Sequence, residues 1–456
     1  MKKHINKQQM KLNKMRRNNA CPCFYHGNVS SLKTFSFVLF IFLHPKICSS
    51  QLATFRSAAT KTKAAFAAPS RMEENAEGVL YVNSQCISCS ACKMLAPDTF
   101  DYSKAQSKFI VSHQPDPTKN EDQFDLARAA MAACPVSAIR VENSAQRNHS
   151  GRAKLSSEDE QIAKELILSP KINQRSFPFP RPVSGLEGYG IYYLGHHNSA
   201  SFGAVPYLVT TSTSAHQGDD PLKQMSVMVD TPKFSKAAVK AVLSLTGENG
   251  PDYLLITHVD DSADHGKWRD HFPSLKRIFH EGDLGVHNWV GDETLEDVEI
   301  LLKGKTTYEK DNNCDVISKR GWKVWTLDGD DLNVDSINDT DNHPFTILHT
   351  PGHSPGSISL LFKGKNIETE SESRHVLFTG DTYAYSAKEE SMSGFPLFGN
   401  NLVVQSQTLR KFLTLPKLDA ILPGHGLRRI YSVKDDENKR EDDIEDAVKG
   451  LLSRDQ

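Results

Sequence analysis

The segment YLLITHVDDSADHGKW, residues 253–268, joins a short apolar run to a dense group of side chains that can bind a metal. The apolar run has the composition of a buried β-strand. Five potential ligands follow within eight positions: His258, Asp260, Asp261, Asp264 and His265. Because so many carboxylates repel one another unless a cation neutralises them, the segment predicts a metal site at a strand end. A solvated acidic turn is the alternative for the segment taken alone.

Three later motifs share this layout of a buried strand, a tight glycine turn and one ligand. They are FTILHTPGHSPGS with His353, HVLFTGDTY with Asp381, and DAILPGHG with His425. Glycine lets the backbone turn sharply and approach a metal closely. The ordered motifs therefore predict an α/β sandwich with its site along one edge.

These motifs resemble those of the metallo-β-lactamase-fold superfamily, and the glyoxalase II-like hydrolases in particular, over about residues 188–426. The resemblance implies an αββα metallo-β-lactamase sandwich, which we place at residues 188–432. It also implies two divalent metals, Zn²⁺ or Fe²⁺, and a bridging hydroxide that attacks the substrate. In this family the position of Asp230 supports the site from behind. The implied metal ligands are His258, Asp260, Asp264, His265, His353, Asp381 and His425.

Among these ligands, the resemblance gives Asp381 the bridging position and Asp264 the catalytic task of positioning the hydroxide. The family pattern HxHxDH is replaced here by HxDDxxDH. Asp260 takes the place of a histidine whether the residues are counted from His258 or back from His265. Asp260 is therefore the predicted ligand, and Asp261 is the alternative. A carboxylate hardens the site and favours iron or manganese over zinc. Flavodiiron relatives also carry a carboxylate there, as HxExDH.

A second cofactor motif, CISCSAC, contains Cys86, Cys89 and Cys92, and Cys134 follows before a proline. Three thiolates at this spacing bind three irons of a cubane and the distant fourth closes it. Zinc is the alternative, but zinc sites usually pair two CxxC elements. The motif resembles bacterial-type ferredoxins with a single 4Fe–4S cluster, which implies an α+β ferredoxin-like domain at residues 78–141. Such thiolates need a reducing compartment.

Residues 1–72 contain thirteen Lys and Arg and no Asp or Glu. Their apolar stretch FSFVLFIFL is too short to cross a bilayer but fits the core of a signal peptide. The Ala- and Ser-rich stretch after it resembles the two-part leaders of algae with complex plastids. We therefore expect a targeting leader at 1–72, a location in the plastid stroma and no stable membrane span in the mature chain. A disordered tail or a membrane anchor is the alternative.

The rest of the chain is acidic and has no basic stripe, which argues against nucleic-acid binding. Residues 142–187 have the composition of a linker and strap, within which EQIAKELIL, residues 160–168, has the pattern of a short amphipathic helix. Residues 433–456 have the composition of a charged tail forming one surface helix. We expect a helix over 267–279 and substrate specificity in the irregular stretch 382–401. His196 and His197 lie in a loop that would border the site, where substrate contact is one interpretation and exposed polar surface the more common one.

Two functions stay open. The first is a binuclear-metal hydrolase of thioesters, lactones or related esters, with the ferredoxin domain as a redox switch or docking module. The second is a di-iron oxidoreductase fed with electrons by the cluster, as in flavodiiron chemistry without flavin. The PGHSPGS motif favours the first, whereas the fused electron carrier and the acidic ligand favour the second. A small ester-type substrate and a redox partner protein are the expected partners, and a site that binds metal without catalysis is a third reading.

Overall fold

A computed structural model describes residues 69–116, 122–142, 154–167, 178–211, 225–308, 321–332, 343–366, 373–431 and 437–454. Residues Ala67–Gln456 form one compact unit. Almost all of the expected leader lies outside the described residues, so the plastid location stays a prediction. Its last residue, Met72, is buried in the fold, which therefore begins before the predicted boundary. In the described parts of the chain, no helix has the length and apolar character that a membrane crossing requires.

The cysteine-containing region is built from two strand pairs and two helices. Strands β1 (Leu80–Val82) and β4 (Ile139–Val141) pair antiparallel, and β2 (Phe100–Ser103) forms a hairpin with β3 (Lys108–Val111). Helix α1 (Ala91–Leu95) carries Cys92, and Cys134 directly follows α2 (Gln123–Ala133). Small buried residues at 127, 130 and 133 let α2 lie close to its neighbours. Helix α3 (Ser157–Ile167) comes next, within the segment predicted to be a linker.

A seven-stranded sheet follows, in the spatial order β11-β10-β9-β8-β7-β6-β5. Strands β8 to β11 run parallel and the others pair antiparallel. The strands are β5 (Arg181–Pro182), β6 (Ile191–Tyr193), β7 (Tyr207–Thr211), β8 (Met225–Val229), β9 (Tyr253–Leu255), β10 (Lys276–His280) and β11 (Ile300–Leu302).

A six-stranded sheet has the order β12-β13-β14-β15-β18-β19, and β16 with β17 forms a separate hairpin. The strands are β12 (Val324–Trp325), β13 (Phe345–His349), β14 (Ile358–Lys365), β15 (Ser373–Gly380), β16 (Ala384–Ser386), β17 (Ser391–Ser393), β18 (Ala420–Pro423) and β19 (Arg429–Ile430).

The two sheets share one apolar core, and helices cover their outer faces. Alternate side chains point inward, so the shared core includes Val227, Leu255, Ile347, Leu360 and Phe378. The outer face of the first sheet packs on α4 (Lys236–Thr246) and α5 (His265–His271). The outer face of the second packs on α6 (Leu402–Phe412) and α7 (Glu437–Leu452). The layers therefore run helix, sheet, sheet, helix.

Two elements differ from the sequence predictions. The helix expected over 267–279 ends at His271, before Pro273, and residues 276–280 form the buried strand β10 instead. The proline cannot continue the helix, and the apolar residues after it pair with β9. The charged C-terminal helix is not merely a surface element, because Ile444, Val448 and Leu451 are buried against the second sheet's helical layer.

Candidate metal centre and iron–sulfur site

Each predicted ligand motif follows the end of a buried strand. His258 comes after β9, His353 after β13, Asp381 after β15 and His425 after β18. A positive φ at Gly380 makes the turn after β15, where a Cβ would stand 2.5 Å from Thr257 Oγ1. The turn therefore requires glycine, and it brings the two strand ends together.

Four side-chain atoms form a compact group at this edge. Asp260 Oδ2 lies 3.6 Å from His258 Nε2 and 3.7 Å from His353 Nε2. Asp381 Oδ2 lies 3.8 and 3.7 Å from the same two nitrogens. Ligands about 2.1 Å from a tetrahedral cation would be roughly 3.4 Å apart. The spacing is therefore that of a ligand set slightly expanded around a cation.

A second group adjoins the first through Asp381. Ligand atoms of His258, Asp261 and Asp381 lie within 4.8 Å of one another. His425 Nδ1 donates a hydrogen bond of 2.8 Å to Asp381 Oδ1. A Cβ at Gly424 would stand 2.8 Å from Asp261 Oδ2 and 3.1 Å from Asp381 Oδ1. The bare glycine thus leaves room for both carboxylates.

The buried polar atoms of these groups show that the residues fit metal ions. Six of them have no hydrogen-bond partner: His258 Nε2, both oxygens of Asp261, both ring nitrogens of His353, and His425 Nε2. A buried polar atom without a partner costs roughly 1–3 kcal/mol, so a cluster of them points to an additional bonding group. Imidazole and carboxylate together suit zinc, iron and manganese.

The pKa values follow from the same crowding. Burial raises the pKa of the Asp261 carboxyl well above its usual range. Burial alone would lower the pKa of His425, but the Asp381 carboxylate outweighs it and raises that pKa to about 10. Burial would also lower the pKa of His258, but charges led by that of Asp261 outweigh it and hold this pKa well above its usual value. Cations would displace these protons, so metal affinity increases with pH.

Asp264 and His265 lie outside both groups, although the sequence predicted both as metal ligands and Asp264 as the catalytic residue. Asp264 Oδ2 accepts hydrogen bonds of 3.0 Å from Asn198 Nδ2 and from the backbone N–H of Phe234. Arg277 donates to His265 Nδ1 at 3.1 Å. The other ring nitrogen of His265 lies 3.2 Å from Asp292 Oδ2 and from Thr294 Oγ1. Both side chains hold the segment to the surrounding fold.

Sequence reasoning missed Asp283, which connects two ligand loops. Its Oδ2 accepts from the backbone N–H of Val259 at 3.0 Å and from Ser354 Oγ at 2.7 Å. Its Oδ1 accepts from the backbone N–H of Gly356 at 2.6 Å. Asp283 closely follows β10, so its position beyond a strand end of the same sheet was the available signal, hidden by the predicted helix.

Two further side chains contact the ligands. Asp230 accepts from the backbone N–H of Thr257 at 2.9 Å and from its hydroxyl at 3.1 Å, and that hydroxyl lies 3.1 Å from His258 Nδ1. Asp230 thus lies behind the group. Trp289 Nε1 donates to Asp260 Oδ1, which leaves the other oxygen directed at the histidines. No pattern in the sequence marked Trp289.

The loop histidines do not border the cavity as expected. His197 is buried, and its Nδ1 donates to the carbonyl oxygen of Gly203 at 2.8 Å. Burial lowers the pKa of both His196 and His197 to about 4. Neither lines the large cavity described below, and the burial of His197 also differs from an exposed polar surface.

The four predicted cysteines, Cys86, Cys89, Cys92 and Cys134, are all free thiols and line one apolar cavity. Burial, with the charges of Cys134 and Cys86, raises the pKa of Cys89 to about 12. Backbone N–H groups of Ser88 and Ala138 donate to the sulfurs of Cys86 and Cys134 at 3.4 and 3.2 Å. Four thiolates packed this closely require a cationic partner, which the irons of a cluster supply.

Both sites open on one large cavity of about 780 Å³. Cys89 lines it at one side, and Asp260, His353, Asp381 and His425 line it at another. At this junction a Cβ on Gly203 would stand 2.7 Å from the Cβ of Cys89. Arg428 also donates to the carbonyl oxygen of Met94 at 3.2 Å. The cysteine loop is therefore a wall of the cavity that contains the metal ligands.

Comparisons with known proteins agree with both the cysteine-containing region and the region that carries the metal-ligand residues. The family model "4Fe-4S single cluster domain of Ferredoxin I" matches residues 82–141. The "Probable metallo-hydrolase YqgX" of Bacillus subtilis (strain 168) is 26% identical over 177 residues, which are 37% of this chain and 69% of that protein.

Solved structures show a weaker likeness. A B3 metallo-β-lactamase with an active-site glutamic acid aligns at 12% identity with a TM-score of 0.33, over 60% of this chain and 95% of that one. An N-acyl homoserine lactone hydrolase aligns at 17% identity with a TM-score of 0.29, over 49% and 79%. The order of layers, helix, sheet, sheet, helix, therefore rests on the strands and helices of this chain itself. The chain thus combines a single-cluster 4Fe–4S ferredoxin-type domain at residues 82–141 with a region similar to a metallo-hydrolase.

Proposed function

We propose that this protein is a binuclear-metal hydrolase of thioesters, lactones or related esters, with its metal centre in a cavity shared with a 4Fe–4S cluster. The observation that carries the proposal is the convergence, beside Asp381, of six buried nitrogen and oxygen atoms that have no hydrogen-bond partner. Similarity to a probable metallo-hydrolase supports the reaction class.

The residues divide between two cations. His258, Asp260 and His353 would hold one, and Asp261 with His425 would hold the other. Asp381 would contact both, because its two oxygens face different groups of ligands. Two bound cations would supply a nucleophile from water at neutral pH and polarise the carbonyl oxygen of an ester.

The surrounding side chains orient these ligands. Asp230 fixes the Thr257 hydroxyl, which meets His258 Nδ1 and leaves Nε2 directed into the group. Asp283 holds the backbone next to His258 and the loop that carries His353. Partners of this kind usually change metal affinity or activity by about 10- to 100-fold when removed.

Anaerobically reconstituted protein tests the proposal with a panel of p-nitrophenyl esters, thioesters and lactones. We expect hydrolysis that depends on added divalent metal and that is lost in Asp381→Asn, whereas Lys388→Gln, a change at the cavity wall, leaves metal content unchanged. Bound metal at both positions without turnover of any compound in the panel would refute the hydrolase.

A second candidate is a di-iron oxidoreductase that receives electrons from the cluster. The observation that favours it is that Cys89 lines the same cavity as Asp381 and His425. Metal analysis separates the two candidates. About four irons with two zincs per chain supports hydrolysis, and about six irons with reductant-dependent oxygen uptake supports redox chemistry.

A further inference from the structure

The shared cavity has two chemically different ends. Its inner end carries the unpaired ligand atoms around Asp381 and His353. Its outer part is lined by aromatic and aliphatic side chains from the cysteine loop and from the stretch around residue 397. A volume of about 780 Å³ is within the range of small-molecule sites, which are mostly apolar with a few polar groups.

Exposed apolar side chains concentrate at this cavity. Nine large hydrophobic side chains are exposed among the described residues, and five of them line it. These five are Ile87, Phe202, Trp289, Leu397 and Phe398. Contiguous exposed apolar surface generally marks a binding site, whereas single exposed residues need no explanation. Because the surface is continuous with the metal ligands, its occupant is the molecule that reacts there.

The cysteine loop contributes one complete wall. Ile87, between Cys86 and Ser88, is 44% exposed and faces the cavity. Behind it, the hairpin residues Tyr102 and Phe109 also line the cavity, with their rings edge to face at 5.4 Å. Residues 395–398, which lie in the stretch where the sequence placed specificity, also line the cavity.

We infer that the cysteine loop is a substrate-recognition element, in which Ile87 determines specificity by binding a bulky apolar group of the substrate. The inference rests on the proposed function only in one respect, namely that the bond cleaved belongs to an ester, a thioester or a lactone. It narrows the substrate class to esters, thioesters or lactones with a long alkyl or aromatic part. It also gives the ferredoxin-type domain a task in binding, in addition to any electron transfer.

Equilibrium binding of unreactive ketones tests the inference without relying on turnover. The protein carries its cluster and metals, the probes are dodecyl methyl ketone and acetone, and binding is measured by calorimetry. Ile87→Ser and Leu397→Ser are compared with Ile167→Ser, an equally drastic change at a residue that is 60% exposed but does not line the cavity. The visible absorbance of the cluster confirms that each variant retains it.

We expect Ile87→Ser and Leu397→Ser to weaken dodecyl methyl ketone binding by about tenfold, with acetone binding and cluster absorbance unchanged. Ile167→Ser should bind both ketones like the wild type. Wild-type affinity for the long ketone in an Ile87→Ser protein with an intact cluster would overturn the inference. If the selectivity is found but no ester is hydrolysed, the binding inference stands and the proposed hydrolase fails.

Discussion

The two halves of the segment 258–265 have similar residues but opposite environments. In the front half, neither carboxylate oxygen of the buried Asp261 has a hydrogen-bond partner, and neither has His258 Nε2. In the back half, Asp264 and His265 are hydrogen-bonded to groups outside the metal centre. The two halves therefore differ in whether the fold leaves side-chain nitrogen and oxygen atoms without hydrogen-bond partners, and this difference makes the front half the candidate ligand segment.

Removing a carboxylate from each half gives the largest expected contrast. Asp261→Ala should lose one metal equivalent and lower kcat/KM by roughly a thousandfold, because a cation there stabilises the transition state by several kcal/mol. Asp264→Ala should keep both metals. Metal analysis and ester hydrolysis measure the difference. Loss of metal in Asp264→Ala and not in Asp261→Ala would reverse the assignment.

A smaller effect is expected at Asp283, which holds the front half in place. Asp283→Asn places an amide N–H against donors such as Ser354 Oγ and the Gly356 N–H. Metal affinity should fall by about 10- to 100-fold while the metals still bind at saturation. Competition with a chelator measures the affinity. Asp297→Asn, at an exposed carboxylate that precedes β11 at the opposite end of the parallel strands, is the control and should behave like the wild type.

The back half should affect stability instead of metal binding. Asp264→Ala leaves Asn198 Nδ2 and the Phe234 N–H without their acceptor, so the free energy of unfolding should fall by about 1–3 kcal/mol. Chemical denaturation of the metal-free protein measures it. An unchanged midpoint would show that these bonds contribute nothing measurable.

The smallest expected effect is on the pH dependence of stability, through Glu299, whose partner Arg277 also contacts His265. Partial burial raises the pKa of Glu299, but hydrogen bonds from Arg277 and Arg269 outweigh it and lower the pKa from 4.5 to about 2. The stabilisation is therefore fully present above pH 4.5 and is lost as pH falls towards about 2. Glu299→Gln should be flatter than the wild type across this window in acid denaturation. Parallel curves would contradict the prediction.

Local sequence patterns were sufficient to predict those elements that depend on only a few neighbouring residues. The strand-end turns at His353, Asp381 and His425 and the four cysteines depend on glycine placement and spacing, which the sequence displays directly. The division of 258–265 could not be predicted, because the partners that hold Asp264 come from residues 198 and 234. Those contacts exist only after the strands have paired.

The predicted helix over 267–279 failed for a related reason. Its apolar spacing suits a helix, but pairing of Lys276–His280 with neighbouring strands on both sides outweighs that local preference. The error also concealed Asp283, which follows that strand.

The close approach of Gly203 to Cys89 limits how freely this two-part protein can be rearranged by engineering. A methyl group at residue 203 has no room beside the Cys89 side chain, since its carbon would stand 2.7 Å from the Cys89 Cβ. A foreign ferredoxin grafted in place of the native one must leave the same gap, whatever its redox potential. Shape at this junction therefore limits which ferredoxin-type domains can replace the native one.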